Sequence, residues 1–422
     1  MMIKNFLLSI SFVALVAINT SAQTVKILFD ASSAQMAGNA DWIIDSDLFN
    51  IGTGSGGVMV VGSGNESNPQ RYPTPTQSNI TPATTENYWK GALSYFAIDL
   101  VKQGFTVETL PYNGLITYGV TTNSQDLSNY KVFVVDEPNI RFTTSEKTAL
   151  MNFVKNGGGL MMIADHTISD RNNDGWDSPA IWNDLITNNT VQNNALGFVF
   201  DLQNFSQTTS NIPNLPNDPI LHGSFGNVTS VQFNNGTSMT LNPSNNSTVK
   251  GLVYKTGASN TGNTQVIFCA SNYMSGKVCA LGDSSPPDDG TGDTNDNLYS
   301  SYSSAVGGSH KKLLVNAVKW LATPGTAPKI ETSSLSENLS SMKIFPNPVH
   351  GNELMILTAT TENANCTLTI YSLSGQQLQT VNFISGNSIH QQSFDVSLLN
   401  AGIYIVRLQN GNDCIIEKFV KQ

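Results

Sequence analysis

The sequence predicts an α/β fold, a mostly parallel sheet with flanking helices, followed by a small all-β sandwich domain. Between residues 24 and 322, short apolar runs alternate with segments whose apolar residues recur at helical spacing. Such alternation builds parallel sheets covered by helices on both faces. After residue 341, short strand-like runs are separated by Gly and Asn turns, which is typical of a β-sandwich.

The elements of the α/β region follow from their apolar spacing and their end signals. Strands are predicted for VKILFD (25–30), FTVETL (105–110), YKVFVVDEP (130–138) and LMMIAD (160–165). Helices are predicted over 86–104, ending at a glycine, and over 143–159, between a Ser/Thr cap and a glycine stop. Residues 185–262, rich in Asn, Thr and Ser, indicate an insertion or an antiparallel edge. The runs TQVIFCAS and GKVCALGD and a helix over 310–322 complete the domain.

The start of the chain and its charge indicate export. Lys4, the apolar run 6–18 and the small residues 20–22 have the order of a secretory signal peptide, so we expect residues 1–22 to be removed. That run is too short for a membrane core of about 30 Å, and we expect no transmembrane anchor. The formal charge of −10 without a Lys/Arg cluster makes nucleic acid and anionic membranes unfavourable partners.

A second module follows a predicted linker over 323–341, which is rich in Pro, Ser and Thr and has no apolar periodicity. It carries three motifs in order: IFPNPV (344–349), IYSLSGQQL (370–378) and LLNAGIYIVRLQNG (398–411). With these motifs, residues 342–422 resemble the C-terminal sorting domain of the type IX secretion system. The resemblance implies the type IX secretion machinery as a partner, and a secreted or outer-surface location. The strand pattern alone would also suit a carbohydrate-binding or adhesive domain.

The first domain, 24–322, carries a second resemblance. The run VFVVDEPNIRFTTSEKTALMNFVKNGGGLMMIADH and the run SGKVCALGDSS before the last helix resemble the class I glutamine amidotransferase-like fold, which has a flavodoxin-like sheet. Amidotransferases carry a nucleophilic Cys at the turn after the strand that corresponds to LMMI. This chain has Ala164, Asp165 and His166 at that turn instead. The chain is therefore not expected to be a glutamine amidotransferase.

Acidic residues follow four predicted parallel strands: Asp30, Asp136-Glu137, Asp165-His166 and Asp283-Ser284-Ser285. Ligands of open parallel sheets bind at the carboxyl ends of the strands. We therefore take Asp165, His166, Asp283 and Ser284 as candidate catalytic residues, with His166 as a base and Ser284 or Ser285 as a nucleophile. Each Asp would also suit a helix or turn cap, and the serines a tight turn. His222 is a further candidate for the cleft, whereas His310, near a helix start, is expected at the surface.

The run DRNNDG (170–175) predicts a structural calcium site. Oxygen-bearing side chains stand at alternate positions and a glycine follows, as in the first half of a calcium loop. The candidate ligands are Asp170, Asn172, Asp174 and the main-chain carbonyl of Trp176. Ile181 stands where an EF-hand has its bidentate Glu, so a loop of Asx turns without metal is the alternative. A second acidic run, DDGTGDTNDN (288–297), has looser spacing.

Two functions remain open from the sequence. One is a secreted hydrolase that acts on an extracellular polymer or glycan. The other is a non-catalytic, calcium-stabilised binding or surface module, which fits the missing Cys nucleophile. Cys269 and Cys279 flank a predicted hairpin turn, where either a disulfide or two buried thiols would fit.

Overall fold

The computed structural model describes residues 25–32, 36–37, 40–45, 51–53, 59–61, 77–111, 114–291, 299–323, 341–359, 365–373, 376–384, 389–410 and 413–422. The predicted signal peptide, nearly all of the predicted linker and most of the second acidic run lie outside these residues. The chain divides into two compact units, Met1–Lys329 and Ile330–Gln422.

The described strands of the first unit are β1 (Lys26–Asp30), β2 (Met36–Ala37), β3 (Ala40–Asp41), β4 (Ile51–Thr53), β5 (Met59–Val61), β6 (Thr106–Leu110), β7 (Val132–Asp136), β8 (Gly159–Ile163), β9 (Phe198–Phe200), β10 (Phe205–Thr209), β11 (His222–Gly223), β12 (Gly226–Asn227), β13 (Val231–Gly236), β14 (Met239–Leu241), β15 (Lys250–Tyr254), β16 (Val266–Tyr273) and β17 (Gly276–Leu281). Its α-helices are α1 (Ser94–Lys102), α2 (Thr144–Lys155), α3 (Ser178–Thr187) and α4 (Ser309–Ala322). Short 3₁₀ helices span Gln77–Asn79, Glu86–Tyr88, Leu127–Asn129 and Ala305–Gly308.

One mixed sheet forms the centre of this unit, in the order β6-β1-β7-β8-β17-β16-β14-β9, with β15 also paired to β16. The five strands from β6 to β17 run parallel. In chain order these five strands stand 2-1-3-4-5 across the sheet. An antiparallel edge is added by β16, β14, β9 and β15. The α/β prediction is thus confirmed, with residues 185–262 supplying most of that edge.

Helices cover both faces of the sheet. Successive strand residues point to opposite faces, so Phe29, Val134 and Ile163 pack against α1 and α4. Phe133 and Met162 pack on the other face, against α2 and α3. Because both faces are covered, the parallel strands are continuous apolar runs in the sequence.

The helix ends show where local signals were sufficient. α2 begins with a capping box, in which Thr143 and Glu146 each accept a hydrogen bond from the other's main-chain N–H. The helix predicted over 86–104 begins instead at Ser94. Ala92 has a φ of 52°, which a helix does not tolerate, and it separates the turn Glu86–Tyr88 from α1.

The hairpin of β16 and β17 shows whether Cys269 and Cys279 can form a disulfide. Its register pairs Cys269 with Ala280 and Ala270 with Cys279, so the two thiols point to opposite faces of the sheet. Cys279 packs towards α1 and α4 and Cys269 towards α2 and α3. Both are free, buried thiols.

The second unit is a small all-β domain. Its described strands are β18 (Ser341–Phe345), β19 (Glu353–Ala359), β20 (Asn365–Ser372), β21 (Gln377–Ile384), β22 (Ile389–Asp395), β23 (Gly402–Asn410) and β24 (Asp413–Lys421). They form two antiparallel sheets, β18-β19-β22 and β21-β20-β23-β24. Inward side chains of both sheets, among them Ile356, Leu368 and Phe419, share one apolar core.

Candidate functional site

Three strand-end carboxyl groups project from the same face of the sheet. Asp136 pairs with Ile163 on β8, and Ile163 pairs with Leu281 on β17. Asp165 and Asp283 follow these partners by two residues, so strand alternation directs all three carboxyl groups towards the α1 and α4 face. The structure therefore brings together the acids of β7, β8 and β17, as the sequence predicts.

Glu137 is the centre of the hydrogen-bond network at these strand ends. It has a φ of 46°, in the left-handed region that residues other than glycine seldom adopt and that is common at functional sites. Its fully buried carboxylate accepts hydrogen bonds from Trp42 Nε1 at 2.9 Å, Ser284 Oγ at 2.8 Å and Arg171 Nε at 2.8 Å. One strained residue thus joins the ends of β7 and β17 to the loop after β8.

Arg171 joins Glu137 to Asp165. Its Nη2 donates to Asp165 Oδ2 at 2.7 Å while its Nε donates to Glu137. One guanidinium therefore serves two buried carboxyl groups, which disfavours the ionised form of both at once. Glu137 also accepts hydrogen bonds from two further donors, Trp42 and Ser284. Burial, followed by the charge of Glu137, raises the pKa of Asp165 well above its usual value.

His166 lies beside this acid, with its side chain 12% exposed. Its Nδ1 is 2.5 Å from the carbonyl oxygen of Thr167 and 3.0 Å from the side-chain amide of Asn204. Asn204 Nδ2 can donate only to an Nδ1 without a hydrogen, whereas the contact with the carbonyl oxygen requires one. The shorter contact, with the carbonyl oxygen, decides the tautomer and leaves Nε2 as an acceptor. That Nε2 lies 3.6 Å from Asp165 Oδ2. Burial, with a smaller effect of Arg171, lowers the pKa of His166, so the imidazole is neutral near neutral pH.

Asp283 and the two serines have separate partners. Asp283 accepts hydrogen bonds from Asn234 N–H at 2.6 Å, Ser285 N–H at 2.8 Å and Ser285 Oγ at 2.6 Å. Burial raises the pKa of Asp283 well above its usual value. Ser284 donates to Glu137 rather than to His166. Asp283 therefore ties the end of β17 to β13, and a nucleophilic Ser284 would have Glu137 as its nearest base.

Three further acids, Asp136, Asp288 and Asp289, are also buried. Asp136 is 1% exposed, and neither of its carboxyl oxygens has a hydrogen-bond partner among the described residues. Burial, and then Glu137 and Asp283, raise the pKa of Asp136 well above its usual value. Burial also raises the pKa of Asp288 to about 7 and that of Asp289 to about 6. Within the described part of the chain, no three His, Cys, Asp or Glu side chains are arranged to hold a metal ion.

The DRNNDG loop positions Arg171. Asp170 accepts hydrogen bonds from the main-chain N–H groups of Asp174 (3.0 Å) and Gly175 (2.8 Å). The amide of Asn172 donates to the carbonyl of Asn139 and, at 3.2 Å, to Asp174 Oδ2. These Asx-type bonds close the loop by themselves. Both carboxylates already accept hydrogen bonds within the loop, so a calcium ion there would have to replace the contact between Asn172 and Asp174.

Other predicted residues lie apart from this cluster. Asp30 points to the opposite face, and its carboxylate accepts hydrogen bonds from Ser32. His222 is exposed on β11. The surface position expected for His310 is wrong, because the first turn of α4 packs against β13. His310 is fully buried and its Nε2 accepts a hydrogen bond from Gln232 N–H at 2.9 Å.

Sequence reasoning missed two central residues, Arg171 and Trp42. Arg171 is the one cationic side chain in the run SDRNNDGWD. A single arginine among acidic residues could have indicated an ion pair with one of the strand-end acids. Trp42 lies 95 positions from Glu137, and nothing local to it in the sequence indicates the contact.

Solved structures resemble the chain only distantly. The mmIFT52 N-terminal domain is 12% identical with a TM-score of 0.39, and the match covers 70% of this chain and 97% of that one. A putative ThuA-like protein from Parabacteroides merdae is 12% identical with a TM-score of 0.34, over 71% and 91% of the two chains. Dimeric latent PorU from Porphyromonas gingivalis is 13% identical with a TM-score of 0.19, over 21% and 10%. These three TM-scores are all below 0.5, so the similarities carry no information about the site.

The second unit has a specific match. No curated protein sequence matches the chain, and no helix among the described residues is long and apolar enough to cross a membrane. Residues 343–422 match the family model of the secretion system C-terminal sorting domain. This confirms the sorting domain predicted over 342–422 and the type IX machinery as a partner. The chain thus carries a type IX sorting domain and is exported to the cell surface or the extracellular space.

Proposed function

We propose that the first unit is an exported hydrolase that acts on an extracellular glycan or other polymer, with its reaction centre at the carboxyl ends of β7, β8 and β17. The observation that carries the proposal is the contact between a buried carboxyl group and a largely buried imidazole. Asp165 Oδ2 and His166 Nε2 are 3.6 Å apart, and their surroundings raise the pKa of the acid and lower that of the base. Such pairs are typical of acid–base catalysis.

The two groups have complementary roles in hydrolysis. His166 Nε2 removes a proton from a water molecule while the water oxygen attacks the bond to be cleaved. Asp165 donates its proton to the leaving oxygen as that bond breaks, so one molecule of water is added. The proton on the imidazole then returns to Asp165, and the pair regains its starting state. Arg171 stabilises the Asp165 carboxylate formed in between.

The topology supports the same location. The parallel strand order 2-1-3-4-5 is the order of flavodoxin-like sheets, whose ligands bind at the carboxyl ends of the strands. It also supports an amidotransferase-like architecture for residues 24–322. Asp165 and His166 follow the strand that precedes the Cys of amidotransferases, so acid–base chemistry would replace thiol chemistry at that position.

The test uses the full chain on a panel of polysaccharides and peptides. Asp165→Asn and His166→Ala are each expected to abolish turnover without changing the melting temperature. His222→Ala, which removes an exposed histidine outside the cluster, is expected to keep full activity. If the wild-type protein binds a polymer but never cleaves it, and the two substitutions do not affect binding, the hydrolase proposal is wrong and the first unit is a non-catalytic binding module.

A structural calcium ion in the DRNNDG loop is proposed separately. The spacing of Asp170, Asn172 and Asp174 supports it, as does the turn at Gly175, whose φ is 89°. Chelation is expected to lower the melting temperature, and Asp174→Ala to remove that sensitivity. An identical melting curve with and without chelator contradicts the calcium site and leaves the hydrolase untouched.

A further inference from the structure

The described groups around the reaction centre form an inner and an outer layer. The carboxyl groups are inside, since the Glu137 and Asp165 side chains are 0% and 4% exposed. Arg171 has a side chain that is 26% exposed, and Tyr299 is 43% exposed. The groups open to solvent are therefore a guanidinium and a phenol rather than the carboxyl groups.

Arg171 has hydrogen-bond donors left over. Its Nε and one N–H of Nη2 are used by Glu137 and Asp165, and its Nη1 bonds to no described residue. The two buried anchors fix the plane of the guanidinium, so its outer edge does not have to be ordered when a ligand binds. Two parallel N–H groups on one edge match the two oxygens of a carboxylate.

The local charge permits an anion in spite of the many acids. Arg171 faces two carboxyl groups: Glu137, which also accepts hydrogen bonds from Trp42 and Ser284, and Asp165, whose charged form is disfavoured because burial raises its pKa. Burial raises the pKa of Asp136 and of Asp283 well above the usual value. Burial therefore disfavours the charged form of these acids, which reduces their repulsion of an anion at the guanidinium.

Tyr299 is a second exposed donor, in the segment after β17. Its main-chain N–H donates to Asp288 Oδ2 at 2.6 Å, which fixes the residue beside the loop after β17. Burial, and then the charges of Asp165 and Asp283, raise the pKa of its phenol, so the hydroxyl keeps its proton. The phenol also lies within electrostatic reach of Arg171. Its exposed ring offers a flat surface for a sugar ring.

We infer that Arg171 and Tyr299 bind a carboxylate of the substrate, and that the substrate is an acidic saccharide such as a uronate-containing glycan. This inference rests on the proposed function, since it takes the reaction centre to be a glycan site. Arg171 acts as the specificity-determining residue: the guanidinium selects the acidic sugar, and Asp165 and His166 cleave the bond.

The first experiment needs no variant. Binding of the full-length wild-type protein is measured by calorimetry with an oligogalacturonate, with its methyl ester and with an oligoglutamate peptide. The methyl ester has the same sugar rings without the charge. We expect the acid to bind about tenfold or more tightly than the ester, the effect of a hydrogen bond to a charged group, and the peptide not to bind. Equal binding of acid and ester, no binding of the acid, or binding of the peptide alone overturns the inference.

Substitutions then assign the effect to residues. Arg171→Gln is expected to weaken binding of the acid about ten- to hundredfold and to leave the ester nearly unaffected. Arg141→Gln is the matched control, because it removes another arginine, one that stacks over Trp176, and should change neither affinity. Tyr299→Phe is expected to weaken binding of the acid about two- to tenfold. This second variant leaves Glu137 with its cation, so it decides the question if Arg171→Gln does not fold. Unchanged affinity in Tyr299→Phe and in a folded Arg171→Gln refutes the assignment.

The two proposals fail in different ways. If the oligogalacturonate binds through Arg171 and is never cleaved, the hydrolase is wrong and the carboxylate site stands. If the protein cleaves neutral glycans and shows no preference for the acid over the ester, the hydrolase stands and the carboxylate site is wrong.

Discussion

Buried carboxyl groups at the site should make the first unit less stable as the pH rises. Asp288 is fully buried, and burial raises its pKa from the usual 3.8 to about 7. The folded state therefore holds this proton more tightly than the unfolded state does. The resulting stability is fully present below about pH 4 and is lost as the pH rises through about 7.

The size of the effect follows from the same two values. A difference of one pKa unit corresponds to about 1.4 kcal/mol, so Asp288 alone is expected to lower the free energy of unfolding by about 4 kcal/mol between about pH 4 and about pH 7, of which about 3 kcal/mol falls above about pH 5. Burial also raises the pKa of Asp289, to about 6. Asp289 therefore adds to the fall over the lower part of the interval.

The assay is urea unfolding of the full chain between about pH 5 and about pH 8, followed by tryptophan fluorescence. The signal reports the first unit alone, because all five tryptophans belong to it: Trp42, Trp89, Trp176, Trp182 and Trp320. Asp288→Asn is expected to flatten the pH dependence. Although burial raises the pKa of Asp126, hydrogen bonds from Ser128 and Thr117 lower it overall. Asp126→Asn is therefore the control, which should lower the curve without changing its slope. A wild-type curve that is flat or rises, or an equal slope in Asp288→Asn, refutes the reasoning.

Three further predictions concern other parts of the first unit. Glu137→Gln keeps the shape of the side chain but turns an acceptor into a donor against Trp42, Ser284 or Arg171, and should cost about 1–3 kcal/mol of stability in urea. Cys269 and Cys279 should both stay unmodified by a thiol reagent in the native protein and react once urea unfolds the chain, whereas rapid native labelling or a mass showing a disulfide contradicts their burial. Gly276→Ala should destabilise by about 3 kcal/mol, because the new Cβ would lie 1.9 Å from the main-chain oxygen of Val154; a melting temperature equal to the wild type refutes this.

The pattern of the sequence was sufficient wherever the signal is local. Buried parallel strands require continuous apolar runs, so β1, β6, β7 and β8 are close to their predicted positions. The start of α2 was predicted for the same reason, because the Thr143 cap satisfies main-chain donors of its own first turn. The sorting domain was recognised from three short motifs in order, because these motifs can be read from the sequence without any knowledge of their contacts.

Other features depend on contacts that no local pattern encodes. The buried His310 and the late start of α1 follow from packing against β13 and from the positive φ of Ala92. The calcium site stays a prediction, since the same Asp and Asn spacing serves the Asx turns that close the DRNNDG loop.

The site shows the same division. The sequence by itself determined that acids follow the parallel strands, because parallel strands end at one edge of a sheet and polar residues are tolerated only there. Only the tertiary structure decided which of these acids meet. Glu137 contacts Arg171, Trp42 and Ser284, which lie 34, 95 and 147 positions away in the chain. Strand order and side-chain alternation select these partners, and with them the two carboxyl groups that share the single guanidinium.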